Sequence, residues 1–492
     1  FTSAFQVQHG YSSASNIALS NTRLIVNAVT ANTNRGITIA GADTINVPKS
    51  NGVISLTGLV TGSGKLVKNG PGQLNLSGSV ANTYTGGTVV NGSTLAMGSL
   101  TMNSSGLGTG AVTFENGGRI SMFYNTSDYN QKPNWNMTVA EGQSGTLVAS
   151  GRCVIGGSLS GGGIFYFNVP YVRADWSTNC ANFTGTFSVT TDADGGTFRV
   201  TANTNGLPLC TVNLANMVDM GAYATTGASG TNASTVVKVG ALSGVAGSSL
   251  SGGTWQIGNN NKDALFAGTI GSGASVTKIG TGNWVLSGAN ATTNPFYISG
   301  GKLTATNTTG SATGTSTVYV NNTGTLAGTG TISGAVVVNS GGTLSPGNNG
   351  IGTITLGATL AMQTGSKLSI GVVGTQYDKV AVTSTVVLKG TLEMTNSSAY
   401  KSGDTYSIIS GGSITGQFDA ISPATPGDGL KWDTSRITEG IISVGLTDGI
   451  EDIFGTTVKV YPNPVKENCT VTVGALSGAL KVEITDQVGR II

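Results

Sequence analysis

The chain has 492 residues, of which 77 are glycine, more than twice the roughly 7% of an average protein. Charged residues are only 9%, against a typical ~25%, and 24 Lys/Arg face 22 Asp/Glu for a formal charge of +2. This excludes a basic nucleic-acid binder, which needs clustered cations opposite phosphates, and a disordered chain driven by net charge.

The chain opens at Phe1 without a basic segment or an apolar h-region, so any signal peptide is expected to have been removed already. No run of 18 apolar residues offers a transmembrane helix. Long helices are disfavoured because Gly, Thr, Ser, Asn and Val are mediocre to poor helix formers. The single histidine, His9, lies near the terminus and reads as structural or exposed. Next comes an internal repeat. Leu66-Val-Lys-Asn-Gly-Pro-Gly-Gln-Leu-Asn-Leu-Ser-Gly78 aligns without gaps on Val276-Thr-Lys-Ile-Gly-Thr-Gly-Asn-Trp-Val-Leu-Ser-Gly288. Lys68, Gly70, Gly72, Leu76, Ser77 and Gly78 match Lys278, Gly280, Gly282, Leu286, Ser287 and Gly288. Further on, Leu303, Leu326 and Leu344 follow Gly-x steps, with Val318-Tyr-Val320 and Val336-Val-Val338 between them.

Brief β-branched runs between turn residues, at a period of roughly 20 residues, predict a β-solenoid. Inward Val, Ile and Leu would stack into one core while Thr, Asn and Ser face water, and glycines would supply the corners. The competing reading, a row of β-sandwiches, fits poorly with 6% aromatics and so short a unit. The predicted fold class is therefore all-β, a parallel solenoid over residues 1–445 that is continuous from roughly residue 30.

The repeat resembles the autotransporter-associated β-strand repeat family. Its steps appear in order as Gly62-Ser-Gly64, Lys68-Asn-Gly-Pro-Gly72, Leu76-Ser-Gly78 and Asn82-Thr-Tyr-Thr-Gly-Gly-Thr88. The second copy departs after Gly288, where Asn294-Pro-Phe-Tyr297 replaces the Tyr-x-Gly-Gly-Thr step. Gly341-Gly-Thr-Leu-Ser-Pro-Gly347 and Tyr377-Asp-Lys-Val380 resemble the C-terminal end of such passengers. The resemblance implies a right-handed parallel β-helix and no particular activity.

The pattern changes after Gly445. Residues 446–457 read as a linker that includes the acidic Thr447-Asp-Gly-Ile-Glu-Asp-Ile453. Residues 458–492 read as an incomplete Ig-like β-sandwich with half-buried strands around Val471 and Val473, then Val482 and Ile484. The two prolines of Tyr461-Pro-Asn-Pro464 set a rigid turn at its entry. This tail resembles the type A C-terminal sorting domain of the type IX secretion system of Bacteroidota. The matching positions are Val460, Tyr461, Pro462, Asn463 and Pro464, the Lys481-Val-Glu-Ile484 strand, and Gly489 before Arg490. The resemblance implies passage through the periplasm and a dedicated outer-membrane pore to the cell surface. It implies the translocon and outer-membrane shuttle components as partners, with cell-surface glycans or lipopolysaccharide as further candidates.

Export implies an oxidising compartment. Of Cys153, Cys180, Cys210 and Cys469, the pair Cys180 and Cys210 sits about one coil apart, each just before a strand, and is the favoured disulfide. Cys153 with Cys180, or no bridge, are the alternatives. Neither Cys-x-x-Cys nor a second histidine is present to make a zinc site, and no cofactor is expected. Many β-helix proteins are polysaccharide lyases or hydrolases, which need convergent carboxylates, calcium or a basic group. The weak candidates are Asp192-Ala-Asp194-Gly-Gly196, read as a turn rather than an ion loop, and Arg173-Ala-Asp-Trp176. The latter reads as a loop covering the solenoid edge, with a sugar subsite as the alternative. Asp43-Thr-Ile45 matches the short O-glycosylation acceptor pattern of Bacteroidota. The expected function is a non-enzymatic, surface-exposed or released rod with a structural or adhesive role. The alternatives are a carbohydrate-active β-helix and a non-catalytic glycan binder.

Overall fold

The structure is a computed structural model that describes residues 17–98, 106–122, 132–170, 172–191, 196–201, 206–224, 236–447, 458–461 and 470–473. Strands are short because an Asn, Ser or Gly corner interrupts each one. In the first coils three strands recur, Ile37–Ile39, Ala42–Asn46 and Val53–Leu56. They are followed by Val60–Thr61, Lys65–Asn69 and Gln73–Leu76. Each lies parallel on its counterpart, with Ile37 opposite Val60, Ala42 opposite Lys65 and Val53 opposite Gln73. The chain is thus an all-β parallel solenoid, and among the described residues the only helix is the 3₁₀ turn Ile437–Glu439.

Register is set by the core. Ile54, Leu74, Leu95, Ile120, Leu147, Phe167, Val189 and Leu214 stack in one inward column through successive pairings. All are buried. A second inward column, two residues away on the same strands, runs through Trp284, Leu303, Leu326, Leu344, Leu368 and Leu392. The leucines expected to mark the period therefore touch across coils. A shift by one residue would turn the whole column outward, so burial holds register firmly. Each buried Leu contributes on the order of 1.5–3 kcal/mol.

Coil length varies. The offset between paired residues is 18 from Thr325 to Thr343 and 30 from Thr211 to Ala241. The middle coils are filled with aromatics. Trp176 packs against Phe165, Phe167, Phe187 and Phe198 at centroid distances of 5.8, 5.0, 4.9 and 6.4 Å.

Parallel pairing reaches Ala420–Ser422, which lies on Thr391–Asn396. An antiparallel sheet of Thr405–Ser407, Ile441–Leu446 and Leu430–Asp433 then follows. Its Tyr406, Ile442 and Val444 join the same buried core. Beyond the rod, Val458–Tyr461 pairs antiparallel with Thr470–Val473 in a separate two-stranded sheet. The rest of the expected tail, including Pro462, Asn463, Pro464, Cys469, Val482, Ile484 and Gly489, lies outside the described residues. So do His9, Asp192 and Asp194.

Candidate functional site

The two repeat copies build the same corner. Gly70 and Gly280 turn it at φ 79° and 69°, in the left-handed region that favours glycine. A side chain at Gly72 or Gly282 would collide with the carbonyl of Lys49 or Lys262 one coil away. Lys68 and Lys278 point inward and are 0% and 1% exposed. The Lys68 ammonium donates to the carbonyls of Asn69 (2.7 Å) and Gly70 (2.9 Å). Lys278 donates to Ile279 (2.7 Å), Gly280 (3.3 Å) and Gly300 (3.1 Å). Burial lowers both to a pKa of about 8.

An asparagine secures the next corner. Asn82 Oδ1 accepts from Val60 N–H (2.8 Å), and its Nδ2 donates to Gly106 O (2.7 Å). Tyr84 and Thr88 share a buried hydroxyl hydrogen bond of 2.6 Å, which explains the Tyr and Thr of that step. In the second copy Asn290 takes the part of Asn82, accepting from Ile270 N–H and donating to Ala312 O. Sequence comparison missed Asn290 because the second copy is two residues shorter there.

Several candidates prove structural. Trp176 is not at the solenoid edge and lines no sugar subsite: it lies in the strand Arg173–Trp176 and is 0% exposed at the centre of the aromatic core. Asp175 is equally buried and meets Arg199 one coil later, with Nε 3.2 Å from Oδ1. The Arg199 guanidinium lies 3.9 Å from the centroid of the Tyr223 ring. Asp43 is buried, and its carboxylate accepts from Thr22 N–H (2.9 Å) and Ala40 N–H (3.0 Å). That ties two coils together and leaves Thr44 half-buried on the outer face.

Neither the favoured Cys180–Cys210 disulfide nor a Cys153–Cys180 bridge is formed: Cys153, Cys180 and Cys210 are free, buried thiols. Cys180 Sγ accepts from Trp176 Nε1 (3.3 Å) and donates to Thr178 O (3.7 Å). Cys210 donates to Leu207 O (3.7 Å). Burial pushes Cys180 up to about 12, although the Trp176 hydrogen bond opposes this. Burial also raises Cys153, helped by Asp175, and Cys210, helped by Cys180. Protonated thiols that fill a core neither attack disulfides nor bind metal readily.

The outer faces carry ladders of short polar side chains. Asn339 donates to Asn321 (2.8 Å), which donates to Ser299 (3.1 Å). Ser243 donates to Asn213 Oδ1 at 3.2 Å, and Asn75 donates to Ser55 at 3.2 Å. Tyr297 and Tyr319 stack in register at 5.3 Å and 14°. Among the described residues, no cluster of three His, Cys, Asp or Glu is placed to hold a metal. No helix there is long and apolar enough to cross a membrane.

A concave feature lies near the C-terminal coils. A cleft of about 280 Å³ is lined by Ile351, Gly352, Thr353, Thr375, Gln376, Tyr377 and Lys379. Parallel pairing of Thr353 with Lys379 makes one wall, and the hairpin from Lys367–Val373 to Gln376–Tyr377 makes the other. Asp378 joins the walls, accepting from Gly352 N–H and Gly371 N–H, both at 2.8 Å. Burial raises its carboxyl above the usual range, and the two hydrogen bonds oppose that rise.

These features define a low-charge parallel β-solenoid whose repeat signatures are internal clamps and whose outer faces are polar ladders. The Passenger-associated-transport-repeat family matches residues 66–97 and 276–305, the two clamped corners described above. The chain is also similar to the "Adhesin BmaC autotransporter" of Brucella suis, 39% identical over 101 residues. That match covers 20% of this chain and 3% of the relative.

Proposed function

We propose that this chain is the adhesive rod of a bacterial cell-surface protein and catalyses no reaction. The observation that carries the reading is the outer surface itself. It carries hydrogen-bonded Ser, Thr and Asn ladders along a solenoid, a surface suited to repeated weak contacts. The commitment of carboxylates to structural tasks supports a non-catalytic role. Asp43 and Asp378 tie backbones, Asp175 pairs inside the core, and Asp219 accepts from Ser249 (2.6 Å) and Ser251 (2.9 Å). The passenger-repeat matches and the adhesin name of the relative agree with surface display.

The proposed route is type IX secretion, with the segment from Val458 read by the translocon and outer-membrane shuttle. Its support is the Val460-Tyr461-Pro462-Asn463-Pro464 step, Gly489, and a two-stranded sheet separate from the rod. Export from a type IX-competent host tests the route. Deleting residues 458–492 should leave folded rod in the periplasm. Normal surface yield of the deleted form would refute the route while leaving the adhesive reading intact.

A further inference from the structure

We infer that the cleft between Gly352 and Tyr377 is a subsite for one acidic sugar ring, a uronic or related carboxylated monosaccharide unit. The inference rests on the adhesive reading and deepens it. Lys379 is the one ionic side chain lining the cleft, and its ammonium lies 4.8 Å from the Tyr377 ring centroid. The neighbouring carboxylate, Asp378, faces inward with both oxygens engaged by Gly352 and Gly371. Lys379 is therefore the charge that the cleft lining presents, and a carboxylate is its natural complement.

The other lining groups fit the rest of a sugar. Tyr377 offers C–H groups the part of its ring that Lys379 and Tyr406 leave uncovered, while Thr353, Thr375 and Gln376 are exposed donors and acceptors for hydroxyls. At about 280 Å³ the space falls just below the roughly 300–1,000 Å³ of pockets for larger ligands, so it suits a single ring.

The walls are held in place before any ligand arrives. Asp378 fixes Gly352 to Gly371, and Tyr377 Oη accepts from Ser407 N–H at 3.2 Å. Tyr406 braces the Tyr377 ring edge-on at 5.4 Å and 83°. Such pre-organisation lowers the ordering cost of binding. Loss of one charge-assisted contact should weaken binding about tenfold.

The test is ligand-observed and protein-observed NMR on the full chain, with galacturonate as probe and galactose as its uncharged counterpart. Galacturonate should perturb the Tyr377 ring and the Lys379 side chain, and galactose should bind at least tenfold more weakly. Lys379→Gln should abolish the preference for the acid, and Lys379→Arg should keep it, with unfolding midpoints unchanged in both. Equal binding of the two sugars would overturn the proposal. So would an unaltered preference in Lys379→Gln, or displacement by an equal concentration of acetate, which would mark a general anion site. Beads coated with the full chain separate this outcome from the wider reading. If they adhere to polysaccharide films while galacturonate shows no contact, only the cleft fails. If they adhere to nothing, the adhesive reading fails, whatever the monosaccharide does.

Discussion

Lys68 and Lys278, far apart in the chain, make the same buried contact: each ammonium donates to carbonyls of the glycine corner that follows it. A lysine is seldom fully buried, because desolvating the charge is costly. Here the carbonyls of the turn replace water. The repeat signature is thus a structural clamp that closes a corner.

This clamp has a pH consequence. Both lysines have a folded pKa near 8, below the unfolded 10.5, because burial disfavours the charged form. Between those values the unfolded state binds more protons, so stability should rise with pH. The charge penalty is fully present below pH 8 and is relieved as pH climbs toward 10. The slope should approach about 1.4 kcal/mol per pH unit for each lysine. Denaturant unfolding between pH 7.5 and about 9.5 checks this. Lys68→Met with Lys278→Met should flatten the slope. A wild-type slope of zero or opposite sign would contradict the assignment.

The Asp175–Arg199 pair should behave as a buried ion pair. Asp175→Ala should destabilise the rod by roughly 3–5 kcal/mol, since it strands a cation inside the core. Replacing both partners together, Asp175→Leu with Arg199→Met, should recover much of that loss. Denaturation midpoints of the two variants give the answer. A double variant as unstable as the single one would show that the pair is needed for more than charge balance.

The thiols should be silent in the folded protein. Cys153, Cys180 and Cys210 are buried and protonated at neutral pH, so alkylating reagents should label them only after denaturation. Mass spectrometry of tryptic peptides without reductant should find each one unlinked. A Cys180–Cys210 peptide would mean that the core rearranges around a bridge.

The fold was legible in the sequence wherever one residue marks one coil. Leu303, Leu326 and Leu344 announced the column in which they are found, and Gly70 and Gly280 announced the corners. Residues that depend on the neighbouring coil were not legible. Asp175 looks like a surface acid until register places Arg199 opposite it. Trp176 read as a residue covering the solenoid edge, yet it is fully buried among Phe165, Phe167, Phe187 and Phe198. The cleft was equally hidden, because Thr353 meets Lys379 only through parallel pairing one coil apart. The cysteines misled because export suggested a bridge, whereas packing uses them as small apolar side chains with Cys180 beneath Trp176.

The adhesive reading is tested most directly by the force needed to detach beads coated with the full chain from films of lipopolysaccharide, mucin or polygalacturonate. Reducing and unsaturated ends are assayed in the same wells. The account predicts detachment forces well above those of albumin-coated beads on at least one film, with no new ends released. Forces equal to albumin on every film, or turnover of any film above background, would contradict it.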